Sequence, residues 1–144
     1  MSSFASEDPH DLAARWIGAI NAHDLEGVVE CFDPDYLDHA PARRGESVRG
    51  QGEIRANFRK FFDDIKNVRA ELRAVVGGAD EIWIEWRMFG NRPDGTPMEF
   101  TGVNIFGLRD GSFATGRIYT ELVRDAGGIE GQIDRMTNWS GAGG

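Results

Sequence analysis

The chain has 144 residues, of which 40% are hydrophobic and 28% charged, a composition typical of one globular domain. Its 16 basic and 24 acidic side chains give a formal net charge of −8 at pH 7, which argues against nucleic acid as a partner. No apolar run approaches the ~20 residues of a membrane span, and the first residues do not resemble a secretory signal. The single cysteine, Cys31, cannot form an internal disulfide, so we expect a cytoplasmic protein without a membrane partner.

The spacing of apolar residues predicts three helices before residue 66. The first begins at Asp8-Pro9, where the aspartate can accept from free amides and the proline suits the first turn. The second begins after Asp24 and ends at Pro34. The apolar stripes are Leu12, Trp16 and Ile20 in the first helix, Leu25, Val28, Val29 and Phe32 in the second, and Ile54, Phe58, Phe61, Phe62 and Ile65 in the third.

From residue 67 the apolar residues recur with a period of two, which predicts strands at 68–76, 82–89, 98–108 and 113–123. A short strand at 36–39 and a polar loop at 41–50 precede them. Ile129, Ile133 and Met136 predict a short closing helix, with 137–144 as a loose tail. Three helices followed by an antiparallel meander indicate a single α+β domain over residues 1–144, with its core at about 8–136 and its helices on one side of a curved sheet.

Several short strings carry a family resemblance. RW at 15–16 and NAHDLEG at 21–27 resemble the first two helices of ketosteroid isomerases, and DPDYL at 33–37 resembles SnoaL-like polyketide cyclases. With the order of elements, they make the chain similar to the nuclear-transport-factor-2-like superfamily over about residues 12–136. The resemblance implies a cystatin-like, cone-shaped barrel in which three N-terminal helices cover a strongly curved, mostly antiparallel sheet. It also implies a cavity between the two layers and a homodimer through the outer face of the sheet.

Asp38 and His39 are the candidate bases. As neighbours on a strand they point to opposite faces, so at most one faces the cavity. His39 is the better base near neutral pH, whereas Asp38 needs desolvation to become comparably basic. The pair is explained equally well by a surface histidine beside an aspartate that binds nearby backbone.

The resemblance implies an oxyanion site at Asn104 and Trp16. Asn104 falls where the isomerases have a protonated aspartic acid, and Trp16 falls where they have a donor tyrosine; both side chains can donate. We expect Asn104 to face the cavity because Gly102 leaves room beside it, although its amide could instead bind backbone. The strict positions of the isomerases' base and of the cyclases' catalytic aspartate hold Ala40 and Ile118.

Four further residues complete the expected substrate-binding set. Tyr119 aligns with an aromatic that lines the isomerase pocket, and strand parity places Arg117 on the same face. An inward Arg117 favours a substrate with a carboxylate or an acidic enol, whereas an ion pair with Glu121 would place it on the surface. Phe58 and Trp86 are expected to contact substrate, although such aromatics are also ordinary core residues.

The leading hypothesis is cofactor-independent acid–base catalysis, of isomerase, cyclase or dehydratase type, on a small hydrophobic carbonyl or polyketide-like molecule. His39 or Asp38 would move a proton at carbon while Asn104, with Trp16 or Tyr119, holds the enolate oxygen. The histidines lack metal-ligand spacing and no glycine-rich nucleotide motif is present, so neither a metal nor another cofactor is expected. The rival is a non-catalytic module that binds a hydrophobic ligand or serves as an accessory dimer. Epoxide opening is less favoured because the Asp–Arg–Asp arrangement of such relatives is missing.

Overall fold

The computed structural model describes residues 8–125 and 127–138. Its α+β architecture and curled, mostly antiparallel sheet confirm the predicted fold class. Among the described residues, no helix is both long and apolar enough to cross a membrane. In chain order the elements are α1 (Pro9–Asn21), α2 (Leu25–Val29), β1 (Phe32–His39), β2 (Ser47–Arg49), α3 (Gly50–Asp64), β3 (Arg69–Gly77), β4 (Glu81–Asn91), β5 (Pro97–Arg109), β6 (Ser112–Leu122) and α4 (Gly128–Thr137).

The six strands form one sheet in the order β2-β1-β6-β5-β4-β3. Strands β3 to β6 are an antiparallel meander, and β1 pairs with β6 in parallel. Because of that pairing, a strand from the first third of the chain lies beside the last one. Residue 38 thereby becomes a direct neighbour of residue 116.

The helices bury their apolar stripes against the inner face of the sheet. In α1 these are Leu12, Trp16 and Ile20, each at most 2% exposed. Asn21 fixes the end of this helix to the edge strand β3, because its Nδ2 donates to the Ala70 carbonyl at 2.9 Å and its Oδ1 accepts from the Ala70 amide at 2.7 Å. These bonds satisfy backbone groups at the edge of the sheet and hold α1 across its inner face.

Three elements differ from their predictions. The second helix ends at Val29 and not at Pro34, and Phe32 begins β1. The loop expected at 41–50 contains β2, whose three residues are too few to produce a recognisable alternation. The closing helix forms as α4, but Ile129, Ile133 and Met136 are 49–70% exposed, so it does not close over the core. The expected loose tail lies outside the described residues from position 139 onward.

A bulge in β6 reverses the parity expected for this strand. Gly107 pairs with Thr115 and Leu108 with Phe113, so Ala114 has no counterpart on β5. Beyond the bulge, even-numbered residues face inward. Arg117 and Tyr119 therefore point outward, and the inward orientation expected for both was wrong.

Candidate active site

A cavity of about 330 Å³ lies between the helices and the inner face of the sheet. Its walls are largely aromatic: Trp16 comes from α1, Phe58 and Phe61 from α3, Trp86 from β4 and Phe106 from β5. The polar side chains of Asp38, Asn57 and Asn104 also line it, together with Tyr36, which carries a hydroxyl.

Asp38 faces this cavity and His39 does not. Along β1, Tyr36 and Asp38 are buried while Leu37 and His39 are exposed, as strand alternation requires. Of the two candidate bases, only Asp38 is therefore placed to act in the cavity. His39 lies on the outer face, paired across the strands with Arg117.

Both carboxylate oxygens of Asp38 accept a hydrogen bond. The Tyr36 hydroxyl donates to Oδ2 at 2.6 Å, and the Val48 amide of β2 donates to Oδ1 at 3.0 Å. Asp38 is only 8% exposed, and a buried carboxylate needs such donors to remain ionised. The two bonds also fix the direction of the side chain.

Burial raises the pKa of the Asp38 carboxyl above its ordinary value, against the opposing effect of the bonds from Tyr36 and Val48. The pKa of the Tyr36 hydroxyl is raised far above its usual range, mainly by burial and then by the neighbouring Asp38 charge. Tyr36 therefore stays protonated and remains the donor of the pair. Asp38 becomes a stronger base than an exposed aspartate, which suits proton removal from carbon.

Asn104 presents a donor to the same cavity. The indole Nε1 of Trp86 donates to Asn104 Oδ1 at 3.0 Å, and the amide is only 6% exposed. Because an indole N–H can only donate, its partner must be the amide oxygen, which fixes the orientation of the group. Asn104 Nδ2 donates to none of the described residues, so its hydrogens are available to a ligand oxygen.

Trp16 supplies a second donor without a partner. Its indole Nε1 is buried and makes no hydrogen bond to any described residue. Trp16 lines the cavity, but its Nε1 has almost no accessible surface, so the donor role expected for it stays a prediction.

Glycines on neighbouring strands leave room for Tyr36 and Trp86, the aromatic side chains that donate to Asp38 and Asn104. A Cβ at Gly116 would lie 2.6 Å from the Tyr36 hydroxyl and 3.0 Å from Asp38 Cβ. A Cβ at Gly102 would lie 2.9 Å from Cζ2 of Trp86. Asp38 and Asn104 are thus each held by an aromatic donor that packs over a glycine.

The structure brings some of the expected site residues together and separates others. Asp38, Asn104, Trp16, Phe58 and Trp86 line one cavity. His39, Arg117 and Tyr119 are exposed on the outer face. Across the described ranges, no group of three or more His, Cys, Asp or Glu side chains is placed to hold a metal ion.

Sequence reasoning missed Tyr36 and Val48. Tyr36 had a usable signal, because it lies two residues before Asp38 and therefore on the same strand face. Val48 had none, since it contributes its backbone amide from a strand that the sequence did not reveal.

The family model of the SnoaL-like domain matches residues 13–115, well over half of the chain. The chain therefore belongs to the SnoaL-like domain family, within the nuclear-transport-factor-2-like superfamily that its sequence resembles. No curated protein sequence matches it.

Several solved structures share the fold. A protein of Catenulispora acidiphila with a ketosteroid isomerase-like fold, solved with trimethylamine, is 20% identical, with a TM-score of 0.64 over 75% of this chain and 83% of its own. A cystatin-fold protein of Novosphingobium aromaticivorans is 17% identical, with a TM-score of 0.67 over 83% and 100%. SalBIII, an epoxide hydrolase/cyclase-like enzyme with a role in pyran ring formation in the polyether salinomycin, is 17% identical, with a TM-score of 0.67 over 78% and 90%. At these identities the likeness establishes the fold alone.

Proposed function

We propose that this protein is a cofactor-independent acid–base catalyst of isomerase, cyclase or dehydratase type, acting on a small hydrophobic carbonyl compound. One observation carries the proposal: a buried carboxylate, Asp38, and an unsatisfied amide donor, Asn104, line the same apolar cavity. The first group can accept a proton from carbon, and the second can hold the oxygen that becomes negative.

The sheet register supports a single ligand that reaches both groups. Asn104 pairs with Ile118, and Asp38 pairs with Gly116 on the same strand, β6. The two backbones are therefore two strand spacings apart across the sheet and two residues apart along β6, about 12 Å in all. Both side chains point to the inner face of the curled sheet and line the same cavity.

The chemistry begins with proton transfer. Asp38 takes the proton from the carbon next to a carbonyl, the C–H electron pair becomes the enolate double bond, and the carbonyl π electrons move to the oxygen held by Asn104. The enolate then regains a proton at another carbon, attacks an electrophilic carbon to close a ring, or expels a leaving group. The apolar walls strengthen the hydrogen bond to the enolate because they exclude water.

Deuterium uptake tests this reaction. 1-Tetralone in heavy water, followed by proton NMR, is expected to exchange its α-hydrogens at least about 100-fold faster with the wild-type protein than with Asp38→Asn. Asn104→Ala is expected to lose a comparable factor. His39→Ala is the matched control, since it alters the adjacent residue on the opposite face and should leave the rate within about twofold. Equal rates for the wild type and Asp38→Asn would overturn the proposal.

A non-catalytic ligand-binding module is the second candidate. It is favoured by the apolar residues at the two strict catalytic positions of the relatives, Ala40 and Ile118. It predicts that 1-tetralone binds in the cavity without any Asp38-dependent exchange.

We also propose a homodimer through the outer face of the sheet. Trp83 and Tyr119 are 47% and 41% exposed there, on either side of β5. Large aromatic side chains of this kind are enriched at protein interfaces. A cytoplasmic location stays a prediction from the single cysteine.

A further inference from the structure

The amide that donates to Asp38 Oδ1 belongs to the shortest strand of the sheet. Val48 is the middle residue of β2, which has three residues and lies at the edge of the sheet beside β1. Three residues in an edge strand provide little stability of their own. The position of the Val48 amide therefore depends on what holds β2 against β1.

The loop that leads into β2, residues 40–46, is closed on itself. The Arg43 amide donates to the Ala40 carbonyl at 2.9 Å, and the Glu46 amide donates to the Arg43 carbonyl at 3.1 Å. The Ala40 amide in turn donates to the Glu46 carbonyl at 3.2 Å. Because Arg43 belongs to both turns and Glu46 directly precedes β2, a displacement of the loop also displaces the strand.

The Arg43 side chain attaches this loop to β6. Its Nη1 donates to the Thr120 carbonyl at 2.8 Å, and its Nε donates to the Glu46 carboxylate at 2.8 Å. Thr120 lies three residues beyond Arg117, where the pairing of β1 with β6 ends. The guanidinium therefore connects the loop to the part of β6 that β1 does not reach. Its planar fork of donors suits two acceptors that lie in different directions.

We propose that Arg43 is a positioning residue for Asp38, because it fixes the 40–46 loop to β6 and thereby keeps the Val48 amide on the carboxylate. Arg43 lies outside the cavity, in a groove on the outer face of the sheet. It acts through the loop, since the two carboxylate oxygens accept from Tyr36 and Val48. Its part in catalysis rests on the proposed function, whereas the hydrogen bond that it maintains can be measured without turnover.

The pKa of Asp38 depends on this hydrogen bond. Burial is the largest influence and raises the pKa, whereas the bonds from Tyr36 and Val48 lower it. Two other titratable groups act on it: His39, the next residue on β1, lowers the pKa, and Glu53 in the first turn of α3 raises it. Strand β6 presents a glycine at this point. Loss of the Val48 bond removes one of the lowering influences, so the pKa moves upward.

Nuclear magnetic resonance on the protein without ligand tests this role. In Arg43→Met we expect the Val48 amide to exchange with solvent at least about tenfold faster than in the wild type, because β2 is held less firmly. The carboxyl carbon resonance of Asp38 should titrate about half a pH unit higher. Arg44→Met is the matched control, since Arg44 is the next residue of the same loop and is exposed, so both quantities should keep their wild-type values. Wild-type values in Arg43→Met would overturn the proposal.

Two further variants separate the parts of the contact. Glu46→Gln breaks an ion pair whose acidic side chain is 58% exposed but leaves the bond to Thr120, so the Val48 exchange rate should change by less than about threefold. A change as large as in Arg43→Met would place the anchor in the ion pair and overturn the attachment to β6. Arg43→Lys keeps the charge without the fork and should speed the exchange at least about threefold. Wild-type exchange in Arg43→Lys would overturn the proposal, and this variant decides the matter if Arg43→Met does not fold.

The positioning role and the proposed catalysis fail in different ways. A higher titration midpoint of Asp38 in Arg43→Met, without Asp38-dependent deuterium uptake by 1-tetralone in the wild type, would remove the catalytic function and leave the role of Arg43 in place. Asp38-dependent uptake with the same pH profile in Arg43→Met and in the wild type would support catalysis and overturn the role of Arg43.

Discussion

The Tyr36 hydroxyl donates a 2.6 Å hydrogen bond to the carboxylate of Asp38, two residues further along the same strand. Both side chains are buried. Burial favours the neutral form of the Asp38 carboxyl, whereas the hydrogen bond from Tyr36 favours its ionised form. Tyr36 thus partly offsets the larger effect of burial and lowers the pKa of Asp38 without itself having to contact the substrate.

Replacing Tyr36 by phenylalanine should shift the pH dependence of deuterium exchange to higher pH. The rate rises as Asp38 loses its proton, and removal of a donor to the carboxylate raises the pKa at which this happens. Exchange rates measured from pH 4 to pH 9 give both midpoints. Tyr119→Phe is the matched control, because it removes the only other tyrosine hydroxyl in the chain from the exposed outer face. Superimposable profiles for Tyr36→Phe and the wild type would show that the hydroxyl does not tune Asp38.

Replacing Trp86 by phenylalanine should destabilise the protein through Asn104. The change leaves the buried amide oxygen without its donor, at a cost of about 1–3 kcal/mol beyond the lost packing. Urea unfolding of Trp86→Phe, Asn104→Leu and the double variant measures this coupling. We expect the double variant to lose less unfolding free energy than the two single variants lose in sum. Strict additivity would mean that the bond between these side chains contributes nothing.

Two glycine substitutions should change stability in opposite directions. Gly116→Ala inserts a methyl group 2.6 Å from the Tyr36 hydroxyl and should cost about 1–3 kcal/mol. Gly18→Ala lies on the exposed side of the last turn of α1, where nothing is within 4 Å of the new Cβ, and should stabilise by about 0.5–1 kcal/mol. Thermal unfolding monitored by circular dichroism compares the two variants. A neutral Gly116→Ala would mean that Tyr36 and Asp38 can move aside freely.

Replacing Trp83 by glutamate should dissociate the proposed dimer. The indole is about half exposed on the outer face, and a charge there would oppose its burial against a second copy. Light scattering coupled to gel filtration gives the mass of each variant. Ala14→Glu serves as the control, since this exposed residue lies on α1, on the opposite side of the sheet. A wild-type protein that elutes as a monomer at micromolar concentration would exclude this interface.

Helices α1 and α3 and the long strands could be predicted because each repeats its apolar pattern over many residues. Which of Asp38 and His39 faces inward could not be predicted, because strand alternation says only that the two side chains point to opposite faces. Pairing of β1 with both β2 and β6 decides it, and β2 is a three-residue strand in a polar segment. The donor from Val48 was hidden for the same reason.

The errors at Arg117 and Tyr119 have a different origin. Tyr119 was placed inward because it aligns with an aromatic of the isomerase pocket, and Arg117 because it shares the parity of Tyr119. Phe113 has the same odd parity and does face the core, but that parity does not extend to Arg117 and Tyr119 because the bulge takes up Ala114. Period-two reasoning holds within each regular segment and is lost across any irregularity in the ladder.

Ala114, the extra residue of the bulge, affects how β6 is aligned with the last strand of related proteins. Deleting Ala114 would make β6 regular. Phe113, Gly116 and Ile118 would stay on the concave side, because Ala114 is the extra residue that the bulge accommodates. A relative with an uninterrupted last strand matches this one only when a single-residue gap is opened there. A gapless alignment would equate cavity residues with solvent-facing ones on one side of that point.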